Sequence, residues 1–464
     1  FAAAGAFGSS LSRSRPARSA RTRRAAESGR RHLVGAAGVA AGVHLGQAQR
    51  ASAKVTEKKT NEVVRQVDGI LQKRLGGSDI IVSEVGLGTQ RWCSTDYNAP
   101  DEAQCEAFLD RAVLGSGVNL VDTAEQYPIP SDDSAHPEGL TEQVIGRWIA
   151  KEAGRRRKLV IATKITGGMN VTRENIRADC EGSLKRLGTD YIDVYQLHWP
   201  SRYSPQSNWG QSLTYQYDVE DFGGAGMEGA SFEELCRSMG ALIREGKIRS
   251  WGLCNDNAFG LTACCETAKR LNVPPPVSFQ GDYSLIDRKS EENGVFEASS
   301  PIHENVGFMA YNSLAGGMLT GKYLTTPAAL DSSTQEAAEK LMKEPRGRMD
   351  TFSWGGTLFR YRSEAAVEAI AAYAALAKKY GISLTELSLR WCRSRRGCTT
   401  VLLGTSNMAQ LEEDLRCFQK EDALPEELLW QVDTVHMRNR LPIFSSNHVG
   451  SNWNGAGEIG EPIP

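Results

Sequence analysis

The sequence predicts an α/β fold, a (β/α)8 TIM barrel, on three observations. Eight short, apolar, β-rich runs recur from residue 79 onward, and helical patterns separate them. Polar residues able to carry chemistry follow several runs directly, and such a barrel holds its site at the C-terminal ends of its strands. The runs fall at 85–87, 118–121, 159–162, 192–197, 250–253, 277–279, 307–310 and 400–403. Most are apolar at the majority of positions, as parallel strands buried on both faces are. Among the helices, Ser231 with Glu234 and Ser383 with Glu386 have the spacing of a capping box. Ala365, Ala366, Ala371 and Ala372 favour the helix that Gly381 closes after Tyr380. A doubly wound sheet would carry GxGxxG after its first strand. Gly86-Leu87-Gly88 lacks the third glycine and no helical pattern follows it.

The chain has 464 residues, and one barrel domain can run well past ~250. A single catalytic domain over 74–440 is therefore expected, with a head (1–53), a linker (54–73) and a polar, glycine-rich tail (441–464). With 40% hydrophobic and 24% charged residues, the composition is that of a soluble globular protein. A net charge of -2 leaves no electrostatic footprint for nucleic acid. The charge is unevenly spread. The first fifty residues carry nine arginines against Glu27 alone, so the head is at +8 and the rest at -10. The ten cysteines show no CxxC and no zinc-type spacing, so no metal site is expected. Adjacent Cys264 and Cys265 read as packing thiols.

The head is rich in Ala, Arg, Ser and Gly, poor in acids, and lacks core periodicity, which is the composition of a transit peptide. It resembles plastid transit peptides that begin with phenylalanine, and the plastid stroma is the expected location. Arg30-Arg31, a short apolar run and Ala51-Ser52-Ala53 also resemble a twin-arginine signal, which keeps the thylakoid lumen open. The apolar run is far shorter than the ~18 residues that span a bilayer, so no stable membrane insertion is expected.

Three strand ends bring candidate chemistry together. Asp122 follows the second run, with Tyr127 five residues on. Lys164 follows the third and His198 the fourth. A free Tyr, with a pKa of about 10, gives up its proton poorly near neutrality. A neighbouring Lys ammonium lowers that value, an Asp fixes the Lys, and a neutral His orients a carbonyl or relays the proton. Each residue alone reads as a cap or a surface ion pair. Together, on successive strands, they read as a proton-donor assembly.

Asp122-Thr-Ala-Glu-Gln-Tyr127, Lys164 and His198 resemble the Asp, Tyr, Lys, His tetrad of the aldo/keto reductase superfamily. The resemblance covers about residues 72–440 and looks most like the bacterial Tas-like NADP(H)-dependent reductases. It includes Tyr127-Pro-Ile-Pro130, Ser183-Leu-Lys-Arg-Leu187, Tyr195-Gln-Leu-His-Trp-Pro200 and Leu319-Thr-Gly-Lys-Tyr323. It implies reduction of an aldehyde or ketone by hydride transfer from NADPH, with Tyr127 as general acid and a small carbonyl compound as substrate. It also implies a cofactor cradle. Asn255 and Gln280 would hold the nicotinamide carboxamide, and Tyr311 would stack on the ring. Asn312, Leu314, Gly316 and Lys322 would hold the pyrophosphate. Thr405, Ser406 and Asn407 would lie at phosphate, and Gln410, Glu413 and Asp414 would line the adenosine end.

Three residues depart from the family pattern. Cys254 stands for Ser and weakens one carboxamide hydrogen bond. Gly281 stands for Asn. Asp414 also stands for Asn, so it accepts from adenine but does not donate. No basic residue occupies 404–407, which leaves NADH open beside NADPH. Gly316 to Lys322 fits GxxxxGK, but Tyr323 stands where a P-loop needs Ser or Thr. Trp92 and Trp199 are expected to wall the substrate pocket. Tyr203 lies near the mouth, and Trp209 in the long 201–229 loop reads equally as loop packing. Arg288 and Arg360 are read as structural ion-pair residues. That loop and the tail also admit a second reading, a cofactor-binding regulatory or assembly subunit of a plastid complex with a possible protein partner. Potassium-channel β-subunits share the superfamily.

Overall fold

The computed structural model describes residues 58–132, 134–202, 204, 229–324, 345–351 and 358–440. The head, Tyr203, Trp209 and the tail lie outside the described residues. Eight parallel strands close a barrel: β4 (Val85–Gly88), β5 (Leu120–Asp122), β6 (Val160–Ile165), β7 (Ile192–Leu197), β8 (Ile248–Cys254), β9 (Ser278–Asp282), β10 (Gly307–Tyr311) and β11 (Cys398–Leu403). All eight expected strands are present, and β11 pairs with β4 to close the ring.

Helices α1 (Glu102–Leu109), α2 (Leu140–Ala150), α3 (Arg173–Leu187), α4 (Phe232–Arg244) and α5 (Ala258–Leu271) follow the first strands. The shorter α6 (Lys289–Glu292) and α7 (Val295–Ser299) come next, then α8 (Glu364–Lys379), α9 (Leu384–Ser394), α10 (Met408–Gln419) and α11 (Glu426–Arg438). The capping box at Ser231 and Glu234 forms reciprocally. At α9 the Ser383 hydroxyl accepts from the Glu386 N–H, which is one half of the expected box. Gly381 takes a positive φ after α8, where only glycine is unstrained. Arg288 and Arg360 pair with Asp433 and Asp282, as structural residues do.

The barrel sorts its side chains by the two-residue period of a strand. Val121, Ile161, Tyr195, Leu253 and Phe308 point outward into the large core shared with the helices. Leu120, Val160, Ala162, Val194, Met309 and Leu402 point inward and form a separate apolar cluster. The next inward position up is Asp122 on β5, Lys164 on β6 and Gln196 on β7. Register places Asp122 beside Ala162, and Lys164 beside Gln196. The apolar floor and the polar site are thus consecutive layers of one interior.

The segment read as a linker is corrected. From residue 63 it forms β1 (Val63–Val67) and β2 (Ile70–Arg74), which pair antiparallel with each other and with β3 (Ile81–Ser83). Its charged residues disguised it, because β1 is almost wholly exposed. This small sheet stoppers the barrel. Leu75, Ile80 and Val82 join the inward cluster and exclude water from beneath the site. The link is tight: a Cβ on Gly76, at φ +60, would lie 2.4 Å from the Val277 carbonyl oxygen.

Among the described residues, no helix is long and apolar enough to cross a membrane, and no cluster of metal-ligating side chains forms. Truncating fully buried Leu75 removes floor contacts that the closed barrel cannot refill. Leu75→Ala is expected to cost about 2–5 kcal/mol by urea unfolding, and a loss below about 0.5 kcal/mol would refute its role as a stopper.

Candidate active site

Lys164 is fully buried inside the barrel. It lies within β6 rather than after its end, because the strand continues to Ile165 and pairs with β7 from Ala162 to Ile165. Its Nζ donates to Asp122 Oδ2 at 2.6 Å and to the Thr123 carbonyl at 2.8 Å. The other Asp122 oxygen accepts from Gln280 Nε2 at 2.7 Å and from Gln196 Nε2 at 3.3 Å. Tyr127, on the loop after β5, lies with its ring centroid 5.0 Å from the Lys164 ammonium. Its hydroxyl is 3.4 Å from His198 Nε2, and the two rings meet edge to face. All four expected residues therefore converge.

Burial raises the Tyr127 phenol above its ordinary value, and the nearby Lys164 charge only partly offsets this. The expectation that Lys164 lowers it overall is corrected: the cation pulls in that sense, but desolvation of the buried phenolate outweighs it. Lys164 itself is pulled down by burial, yet Asp122 and its neighbours raise it on balance, so it stays an ammonium. His198 is pushed well below its ordinary value, first by burial and then by the Lys164 charge, and stays neutral. The ring also stacks on Trp199 at 6.1 Å.

These groups open into a cavity of about 650 Å³ that runs from Trp92, Tyr127 and His198 to Asp414. Trp92 walls it as expected. Trp199 is absent from the cavity's described lining, and its ring lies against His198. Asn255 and Gln280 lie beside the tetrad. Asn255, in a left-handed conformation, donates to the His198 carbonyl at 3.0 Å and accepts from the Tyr311 hydroxyl at 2.5 Å. Gln280 is tied to Asp122, so the expected cradle and the tetrad share a carboxylate. Cys254 gives its S–H to Gln280 Oε1 at 3.6 Å, and burial pushes its thiol up to about 12. Gly281 is explained by packing, since a Cβ there would meet the Phe308 ring at 3.2 Å and Ser290 Oγ at 3.1 Å.

Further along, Asn312, Leu314, Gly316 and Lys322 line the cavity, followed by Thr405, Ser406, Asn407, Gln410, Glu413 and Asp414. Asn407 caps α10, accepting from the Gln410 N–H at 3.0 Å. Burial, with Glu413 adding to it, raises Asp414 to about 8. That corrects its expected role: a carboxyl group neutral at pH 7 donates as well as accepts, as the amide it replaces does.

Residues not anticipated as site groups also converge here. Arg91 donates to the Ser406 hydroxyl at 2.9 Å and to Asp96 at 3.0 Å. With Lys322, Arg346 and Arg348 it lines the middle of the cavity. Burial and the Arg91 charge hold Arg348 down to about 10. Arg91, Lys322 and the Arg346–Arg348 segment come from distant parts of the chain, so no single local motif announces them. Gln196 had a signal, a polar residue inside an apolar strand run.

A family model described as the Aldo/keto reductase family matches residues 84–435. The chain belongs to the aldo/keto reductase family. This oxidoreductase is 34% identical over 383 residues to Protein tas of Escherichia coli (strain K12), which covers 80% of this chain and 98% of that protein. The same figures hold for Protein tas of Shigella flexneri. An Aldo-keto reductase of Babesia bovis is 32% identical over 298 residues, covering 62% of this chain and 98% of that protein.

The electrostatics of this reductase's site make one direct prediction. With its folded pKa depressed, His198 withholds a proton that the unfolded chain takes up. Its contribution to stability is present above the ordinary value of 6.5 and is lost as pH falls below it. Histidine NMR is expected to show a neutral His198 ring at pH 6.5. A midpoint at or above that value would contradict the burial account.

Proposed function

We propose that this reductase converts an aldehyde or ketone to an alcohol, with NADPH as hydride source and Tyr127 as general acid. The carrying observation is the Tyr127 hydroxyl, which faces the cavity 3.4 Å from His198 Nε2 and beside the buried Lys164–Asp122 pair.

The cavity fits a phosphorylated dinucleotide. Gly317 sits at φ +97, a conformation that favours glycine, and its backbone lies in contact range of Lys322, whose Nζ a Cβ there would meet at 3.4 Å. Arg91, Lys322, Arg346 and Arg348 supply positive charge around it, of which Asp96 and Asp350 offset part. Asn255 and Gln280 would hold the carboxamide, and Tyr311 would cover one ring face. The N-terminus of α10 and Arg91 would hold phosphate, and this charge supports NADPH over NADH. The nicotinamide, when bound, supplies the hydride.

The protein's own part is proton delivery. Burial keeps the proton on Tyr127 until negative charge develops on the substrate oxygen. Lys164 then stabilises the phenolate left behind, and Asp122 keeps that charge in place. Neutral His198 donates or accepts at Nε2 and aligns the carbonyl oxygen with the Tyr127 hydroxyl. Trp92 closes one side of the substrate pocket and keeps it dry.

Tyr127→Phe is expected to lower kcat for aldehyde reduction by about 10²–10⁴ with NADPH binding retained. Turnover within about threefold of the wild type would sink the assignment. Asp414 adds a pH signature. As pH rises through about 8 it ionises at the adenosine end and loses the proton it would donate to adenine, so NADPH affinity is expected to fall. Asp414→Asn should flatten that profile in fluorescence titrations, and an unchanged slope would contradict the role.

A further inference from the structure

We propose that Cys93 and Cys105 form a redox-active dithiol that an external disulfide closes, and that its closure loosens the cofactor end of the site. The dithiol chemistry is independent of the proposed function; only its effect on NADPH rests on that reading.

The two residues are twelve positions apart and turn toward the same place. The Cys93 backbone N–H donates to the Pro100 carbonyl at 2.8 Å, and the Cys105 thiol donates to that same oxygen at 3.7 Å. The two thiols lie near enough that each shifts the other's ionisation. Their exposures differ in a useful way. Cys105 is sealed in α1, whereas Cys93 is half-buried, and the other eight cysteines are all buried. Its polar interaction with Cys105 holds the Cys93 thiol below its ordinary value despite burial, while burial pushes Cys105 up. Cys93 is thus the accessible nucleophile and Cys105 the resolving partner, because the thiolate is the attacking species.

The exchange balances without a metal or another cofactor. The Cys93 thiolate attacks one sulfur of a low-molecular-weight disulfide. That S–S bond breaks, one thiolate leaves, and a mixed disulfide forms on Cys93. The Cys105 sulfur gives its proton to the departing thiolate and attacks Cys93 Sγ, and the second thiolate leaves and takes a proton from water. The two protein thiols lose two electrons, and the external disulfide gains them as two thiols.

The consequence follows from what the intervening segment holds. A bonded S–S distance is about 2.0 Å, well inside the approach of two free thiols, so one sulfur must move. Cys105 is fixed in the core, which leaves the Cys93 loop to shift. Cys93 already sits at φ +57, where a non-glycine residue has little freedom, and its carbonyl anchors His136 at 2.6 Å. Two residues back, Arg91 grips Asp96, the Tyr97 carbonyl at 2.6 Å and Ser406. Movement of this loop therefore reaches the phosphate end of the cavity.

The test uses the full chain treated with oxidised glutathione, then alkylated and mapped by mass spectrometry without reduction. A peptide joining Cys93 to Cys105 is expected ahead of any other linkage and reverses with dithiothreitol. The oxidised form should bind NADPH about fivefold or more weakly, the lower end of measured coupling between linked sites. Cys93→Ser should abolish both effects. Absence of the linked peptide overturns the proposal. So does its formation with NADPH affinity within about twofold of the reduced protein, or a shift that persists in Cys93→Ser. If the reduced protein fails to bind NADPH at all, the proposed function falls, and the linked peptide still decides the dithiol.

Discussion

The mouth of this barrel is arranged around one buried ion pair, Lys164 with Asp122. Taking two charges out of water costs several kcal/mol per ion, and mutual attraction offsets this only when the remaining donors and acceptors are also satisfied. Here they are. Lys164 has the Thr123 carbonyl as a second acceptor, and Asp122 accepts from both Gln280 and Gln196. The pair therefore fixes the orientation of Gln280 while presenting its cation to Tyr127. Losing either partner would strand a charge in the interior, which is why the two residues behave as a unit.

The pair survives there because the barrel separates a dry floor from a polar layer. Strand periodicity sets Leu120 beneath Asp122, Ala162 beneath Lys164 and Val194 beneath Gln196. The antiparallel sheet at the opposite end presses Leu75, Ile80 and Val82 into that floor. Water is then held off from below, and the polar groups above act on one another at close range with little screening. This burial explains two shifts in that layer, a phenol that keeps its proton and a histidine that refuses one; separate burial on α10 raises the carboxyl of Asp414.

Much of this was legible in the sequence, and the exceptions share a cause. The eight strands show as apolar runs because parallel barrel strands are buried on both faces. The tetrad shows because Asp122, Tyr127 and His198 lie close after those runs. Whatever depends on tertiary burial does not show. The strands at 63–74 carry their charges outward, and their apolar residues gain meaning only against the barrel floor. The direction of the Tyr127 shift and the neutrality of Asp414 both depend on desolvation, which no local pattern reports. Arg91, Arg346 and Arg348 meet only once distant loops are folded. Trp199 illustrates the converse: adjacency to His198 suggested a pocket wall, but its ring stacks on the histidine and is absent from the cavity's described lining.

The central claim is that the buried ammonium makes Tyr127 an effective proton donor. Its most direct test is single-turnover reduction of an aldehyde by the Lys164→Met/Asp122→Asn double variant with NADPH already bound. Replacing both partners leaves no uncompensated charge, so the fold is not burdened with one. The account predicts a fall of about 10²–10³ in the single-turnover rate, with NADPH affinity changed only a few-fold. A rate within about threefold of the wild type would show that Tyr127 donates without the ammonium beside it, and would contradict the account.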